Sequence, residues 1–422
     1  MKKNAIIVIT LLAGVLLFNA SCKKETGSPL STNGNYPEKG KNKKEGKKLY
    51  VSTLDELYTA VNDPASSGTL VVLSPGTYVL DASYPNGGRL ELQTDMGLQG
   101  QAGQPGAVII DESQLPASSF VIPAGRTGGM RMGKGTNSLE WLSLIGGAVG
   151  ANPFSVINTD LLSAETSIEI SHVNVNVNGC NIGINLRNRL AEHAGRKIYA
   201  ELKDSEISGA VNFNGFALAA QNANGASGSL IRLDMQGNYI HGNKVGILAF
   251  SSAQTSSVSN STIEIVSHAD RIEGNGVGID PSAGVNQAST TVANNNTTTI
   301  VMHGSSIRDN NPPAAPQLQP VNGAIPGGIY AACAFNSVNS AAGYNRASNN
   351  TMRLTFYGCD ISNNNGLDIN AVAAWCPAAT LLAGSNNLLE IFLHGLSANA
   401  TVDAIASVPV EVAGTNVVTV IR

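Results

Sequence analysis

Charge and aromatic rings are both scarce in this chain: 13% of its 422 residues are charged and 5% are Phe, Trp or Tyr. So few rings leave little material for a surface that stacks on sugars or bases. From residue 49 onward, 27 Asp plus Glu stand against 16 Lys plus Arg, a net of −11 that removes any general pull on nucleic acid. The chain has five cysteines, and the spacings of Cys180, Cys333, Cys359 and Cys376 match no zinc motif. In an exported chain a disulfide among the last three, such as Cys333 with Cys376, competes with plain burial of free thiols. Beyond the first residues no run is long and apolar enough to cross a bilayer. There is no Gly-x-Ser-x-Gly elbow, no His-Glu-x-x-His pair and no phosphate loop.

What is present begins with Lys2 and Lys3, an apolar run from Ala5 to Phe18, and then Asn19-Ala20-Ser21-Cys22. A basic start, a short apolar stretch and small residues describe a secretory signal over residues 1–21. Cys22 directly after the small residues resembles the lipobox of bacterial lipoproteins, with Asn19 where that pattern prefers Leu. The resemblance implies acylation of Cys22 and anchoring to a membrane of the bacterial cell envelope, with the outer membrane or cell surface ahead of the inner membrane. The alternative is an ordinary signal peptide cut nearby. Lys23 to Lys48 holds eight Lys and three Glu with almost no large apolar residues, so residues 22–48 read as a flexible tether. Residues 49–422 then form one acidic domain on a basic stalk.

Inside that domain an isoleucine closes a similar phrase five times: Ile207, Ile240, Ile272, Ile307 and Ile361. The first four are 33, 32 and 35 residues apart, and the fifth follows a longer insertion. From Ile240 onward an Asn stands three residues later each time, at Asn243, Asn275, Asn310 and Asn364. A fixed period with aligned apolar and Asn positions means stacked copies of one unit.

One copy shows the unit. Ile231 to Gln236 alternates apolar and polar, so it is a strand with one face buried. Gly237-Asn238 turns, Tyr239-Ile240-His241 is a short strand with Ile240 inward, and Gly242-Asn243 turns again, where Asn tolerates a left-handed backbone. Val245 to Phe250 is a third strand, and a loop leads to the next rung at Thr262. Three short strands per rung predict an all-β fold, a right-handed parallel β-helix with each strand about 4.8 Å from its copies. Leu54 to Val61, with Thr53 as N-cap, predicts a helical cap. That helix, then Leu70-Val-Val-Leu-Ser-Pro-Gly-Thr-Tyr78, then Met96-Gly97-Leu98-Gln99-Gly100, resembles the opening of pectin-lyase-like β-helix proteins. The resemblance covers residues 49–422 as a repeat pattern; it is specific for fold and weak for activity.

The resemblance places polysaccharide along the first sheet, between long loops. With Ile231 and Leu233 inward, Arg232, Asp234 and Gln236 face out. The same phase gives Tyr199, Glu201 and Lys203 one rung earlier and Glu169, Ser171 and Val173 two rungs earlier. Later rungs give Glu264, Val266 and His268, then Thr299, Val301 and His303, then Arg353, Thr355 and Tyr357, then Glu390, Phe392 and His394. Glu201 therefore falls below Asp234 at about 5 Å, with Lys203 and Arg232 beside them, and Asp234 to Glu264 is nearer ~8 Å. Adjacent carboxylates share a proton or bind Ca²⁺, so Glu201 and Asp234 are the candidate metal ligands. A short carboxylate separation suits a retaining glycosidase and a longer one an inverting glycosidase. A lyase needs a base such as Lys203 or Arg232, with Ca²⁺ acidifying a uronate. The column of His268, His303, Tyr357 and His394 suits hydroxyl binding, proton transfer or a metal. The same residues also suit plain pairing across rungs, worth under ~1 kcal/mol each.

Arg187, Arg189, His193, Arg196 and Lys197 form the one basic concentration of the acidic domain, in the loop before the Glu201 strand. It suits an anionic polysaccharide, or a solvated loop paired with Glu192. Asn158-Thr159-Asp160 and Arg271-Ile272-Glu273 resemble the outer signatures of polygalacturonase-type hydrolases, but the Asp-Asp and Gly-His-Gly between them are missing. Two functions stay in competition. One is a lipid-anchored polysaccharide lyase or glycosidase with Glu201, Lys203, Arg232, Asp234, Glu264, His268 and His303 on its face. The other is a non-catalytic glycan binder, adhesin or structural lipoprotein, favoured by long loops poor in charge.

Overall fold

The computed structural model describes residues 47–422 apart from 124, 148–153, 162, 213–214, 289, 312–326, 337–345, 376–383, 397–399 and 409–414. The signal segment, Cys22 and most of the tether lie outside the described residues, as does Cys376. The chain winds as a parallel β-helix, built among the described residues from a first sheet of 12 strands, a second of nine and a third of ten. In each sheet the strands follow one another in chain order, so successive turns stack. The first strand, Lys47–Val51, starts inside the stretch whose composition reads as tether.

The rung at Leu230 shows how sequence becomes shape. Leu230–Gln236 belongs to the first sheet and alternates buried and outward positions. Tyr239–His241 belongs to the second sheet with Ile240 buried, and Val245–Ala253 to the third. In the second sheet Ile207, Ile240, Ile272, Ile307 and Ile361 pair directly with one another, all fully buried. The third sheet differs: Ile182–Asn188, Val277–Asn286 and Ile369–Trp375 are buried on both faces. At the start, the helix Leu54–Asn62 closes the core with Leu57, Tyr58 and Val61. Thr53 and Glu56 form its reciprocal capping box.

The Asn column works differently from the sequence expectation. The left-handed residue at that corner is the one before the Asn: Gly242 has φ 65°, Gly274 63°, Asp309 56° and Asn363 57°. The Asn side chain instead bridges rungs. Oδ1 of Asn275 accepts from the backbone N–H of Asn243 at 3.1 Å and from its Nδ2 at 3.0 Å. Asn275 Nδ2 donates to the Ile240 carbonyl at 2.9 Å. Asn310 and Asn364 continue the ladder. The other two corners carry ladders of their own, through Asn238 and Asp270, and through Asn296, Asn350, Asn387 and Asn416. Cys180, Cys333 and Cys359 are buried free thiols, and the Cys333 thiol donates to the Asn350 carbonyl.

Replacing Asn275 with Ala strips acceptors and donors from buried backbone on two rungs. The expected loss is about 3 kcal/mol of stability, whereas Asn365→Ala, on the exposed side of the same corner, shifts it by no more than about 0.5 kcal/mol. Urea unfolding of both variants measures the difference.

Candidate functional site

Strict parallel register turns the outward positions of the first sheet into three straight columns. Tyr199, Arg232, Glu264, Thr299, Arg353 and Glu390 form one. The middle column runs through Glu169, Glu201 and Asp234 and then becomes Val266, Val301 and Thr355. Glu169 therefore sits under Glu201, one position from where the sequence phase puts it, and Val173 is fully buried instead of outward. The reason is a corner at His172, a non-glycine residue with φ 54° that carries no turn signal in the sequence.

Glu201, Asp234 and Glu264 on this face have cations against them. Lys203 Nζ lies 2.5 Å from Glu201, and Arg232 lies 3.3 Å from Asp234 and 3.8 Å from Glu264. Among the described residues no group of three or more His, Cys, Asp or Glu could hold a metal. Ca²⁺ takes six to eight oxygens. Glu201 and Asp234, each with a cation beside it, are a poor set for it.

The third column is continuous. His268, His303, Tyr357 and His394 stack with ring centroids 4.8, 4.8 and 4.9 Å apart and planes within 10° of parallel. Each ring face is covered by the next ring, so the ring edges meet solvent. Burial, then the neighbouring His268, holds the His303 imidazole below its ordinary pKa. Such a column offers a row of ring nitrogens and a phenol at rung spacing, suited to hydrogen bonding and unsuited to stacking on a sugar face.

A second feature lies where the third sheet returns to the first. A cleft of about 300 Å³ is walled there by Arg126, Arg131, Lys134, Arg187 and Arg189, facing Asp160 and Glu192. Arg187 is not in a loop: it lies in the strand Ile182–Asn188 and is 3% exposed. Its guanidinium sits 4.8 Å over the Phe154 ring, and Nη1 donates to the Arg126 carbonyl at 2.8 Å. Nε finds no acceptor among the described residues. Burial, with Arg189 nearby, pulls this guanidinium down to about 9. Asp160 is engaged elsewhere, accepting from Arg131 Nε and Thr127 Oγ1 at 2.9 Å each.

His193 also lines the cleft. Its Nδ1 accepts the Arg189 backbone N–H at 3.0 Å, so the neutral ring carries its proton on Nε2, which has no acceptor. Burial, then Arg196 and Arg187, holds this imidazole down to about 4. Arg196 is half-buried before the strand Lys197–Lys203, and Lys197 is exposed at its start. Of the five basic residues the sequence had marked, Arg187, Arg189 and His193 line the cleft, and Arg196 and Lys197 are not in its lining. The sequence missed Arg126, Arg131 and Lys134, and it set Asp160 aside as a chance match. The usable signal was the repeat itself, because Arg131 pairs with Asn158 in the register of the third sheet. Arg271 and Glu273, the other partial motif, form an ion pair on the second sheet.

No family model matches the chain, and no curated protein matches it. Solved structures with a similar course include the pectate lyase Pel9A, 16% identical with a TM-score of 0.36, over 86% of this chain and 79% of that one. A rhamnogalacturonan lyase is 11% identical with a TM-score of 0.37, over 86% of this chain and 87% of that one. The Yersinia enterocolitica family 28 exopolygalacturonase is 12% identical with a TM-score of 0.31, over 88% and 80%. At such values none of them speaks to activity here.

The buried His193 makes a prediction about acid. Its folded pKa, about 4, lies below the unfolded value near 6.5, so the unfolded chain takes up the proton first. Stability from this group is full above about pH 6.5 and falls as the pH drops toward 4, by about 2.5 kcal/mol at about pH 4.5. His193→Asn keeps an acceptor for the Arg189 N–H and should remove that part of the acid loss, read from urea midpoints at about pH 7.5 and 4.5.

Proposed function

We propose that this chain is an exported, lipid-anchored protein that contacts polysaccharide along the outer face of its first sheet. The observation that carries this reading is the in-register column of His268, His303, Tyr357 and His394, whose polar edges repeat once per rung. A polymer laid along the stack meets the same donors and acceptors at each step. The signal-like start, Cys22 and the Lys-rich stretch support display on a bacterial envelope membrane, the outer membrane or cell surface first. Binding is favoured over turnover because Glu201, Asp234 and Glu264 are already paired with Lys203 and Arg232. Catalysis is the second reading. It has in its favour the direct pairing of Glu201 with Asp234 on adjacent strands, with Lys203 and Arg232 beside them as cations a lyase could use.

Tyr357→Phe keeps the ring stack and deletes one hydroxyl, so it should weaken the polysaccharide about fivefold, the value of one hydrogen bond. Calorimetry on the protein with a panel of neutral and uronic-acid polysaccharides measures this. Unchanged affinity in both Tyr357→Phe and His303→Ala removes the column from the site. With an acidic polysaccharide, affinity should rise as the pH falls through the imidazole range, His303 adding its charge below the ordinary value. New reducing ends or unsaturated products in the same panel would establish turnover.

A further inference from the structure

We propose that the cleft beside the first sheet is an oxyanion site, in which Arg187, Arg189 and the His193 ring hold one carboxylate or sulfate group of a ligand. The proposal goes beyond the contact on the ring column and does not depend on it.

The first observation is an imbalance: five cations and two carboxylates line the cleft, in a domain whose own charge is strongly negative. The second is a pair of orphaned donors. Arg187 Nε and His193 Nε2 are buried without an acceptor among the described residues, and both residues line the same cavity. A buried cation without a counter-charge is costly to keep, and an unpaired buried N–H adds to that cost. The carboxylates within reach do not answer it. Asp160 is held by Arg131 and Thr127, and Glu91 by Arg131 and Arg89. Glu192 is exposed, and its charge acts on Arg196. What would complete the site is an acceptor with negative charge and several lone pairs, which an oxyanion supplies through charge-assisted hydrogen bonds. Arg189 supplies a second guanidinium at the edge, in the fork geometry that carboxylate and sulfate both match.

The volume admits a ligand of monosaccharide size. Two of its lining residues, Lys134 and Leu161, lie just before the strands Thr136–Glu140 and Glu165–Ser171, which places the cleft beside the first sheet. An acidic sugar unit of a polymer on that sheet can therefore reach it. A free small anion presents the same chemistry, so the test must separate the two.

Calorimetry and thermal melts of the full chain would use three probes: inorganic sulfate, a uronic-acid oligosaccharide, and the same oligosaccharide with its carboxyls reduced to alcohols. The expected result is binding of the acidic oligosaccharide, loss of at least tenfold on carboxyl reduction, and competition by sulfate. Sulfate bound tightly with no gain from the oligosaccharide would assign the site to a free anion and retain the proposal. Arg189→Gln, at the half-buried edge, should weaken either anion at least tenfold while leaving the melt of the free protein unchanged. Arg187→Gln should abolish binding, and if it fails to fold the Arg189 variant decides alone. Tyr357→Phe should leave sulfate binding intact, so failure of the first-sheet contact and failure of this site read differently. Neither heat nor a melting shift with any probe, or equal affinity in Arg189→Gln, overturns the proposal.

Discussion

Side-chain amides at the corners are the constraint on which this structure depends. A strand inside a sheet satisfies its backbone by pairing with its copies, but a chain that bends three times per rung breaks that pairing at each bend. Buried groups left open there would cost more than the short strands return. At the second corner Asn243, Asn275, Asn310 and Asn364 close the gap, each oxygen serving the N–H of the rung before. Asn296, Asn350, Asn387 and Asn416 do the same at the third. The core isoleucines supply cohesion; the ladders supply alignment.

Alignment creates the surface features. Because the described strands of the first sheet keep one register, side chains of one phase fall into columns there, and a column becomes a functional object only when its chemistry repeats. His268, His303, Tyr357 and His394 repeat, and their rings stack. Glu169, Glu201 and Asp234 repeat as well, but like charges in file need counter-charges, and Lys203 and Arg232 take that place. The cleft arises on the opposite logic. There the third sheet is buried on both faces, and Arg187 Nε is held where no acceptor among the described residues reaches it.

Much of this was legible in the sequence. The spacing of Ile240, Ile272 and Ile307 gave the rung, and the alternation in Leu230–Gln236 gave the outward set, including Glu201 beneath Asp234. The phase failed on one rung, where it ran two residues late, so that Val173 lies past the corner at His172 and not on the first sheet. Arg187 was read as solvent-facing because an arginine in a polar stretch normally is. Only a strand buried on both sides could reverse that, and two-sided burial leaves no alternation to read. Arg131 and Arg126 were invisible for another reason: they reach the cleft from earlier turns, far away in sequence.

Asn310 and Asn364 bond to each other across 54 residues as Asn243 and Asn275 do across 32. Extra chain between turns therefore costs the stack nothing in registration. Length can be added or removed at that point while the rungs on either side keep their geometry. A protein built this way can vary its peripheral segments from one lineage to the next at nearly constant scaffold, which makes those segments the natural place for its specificity to diverge.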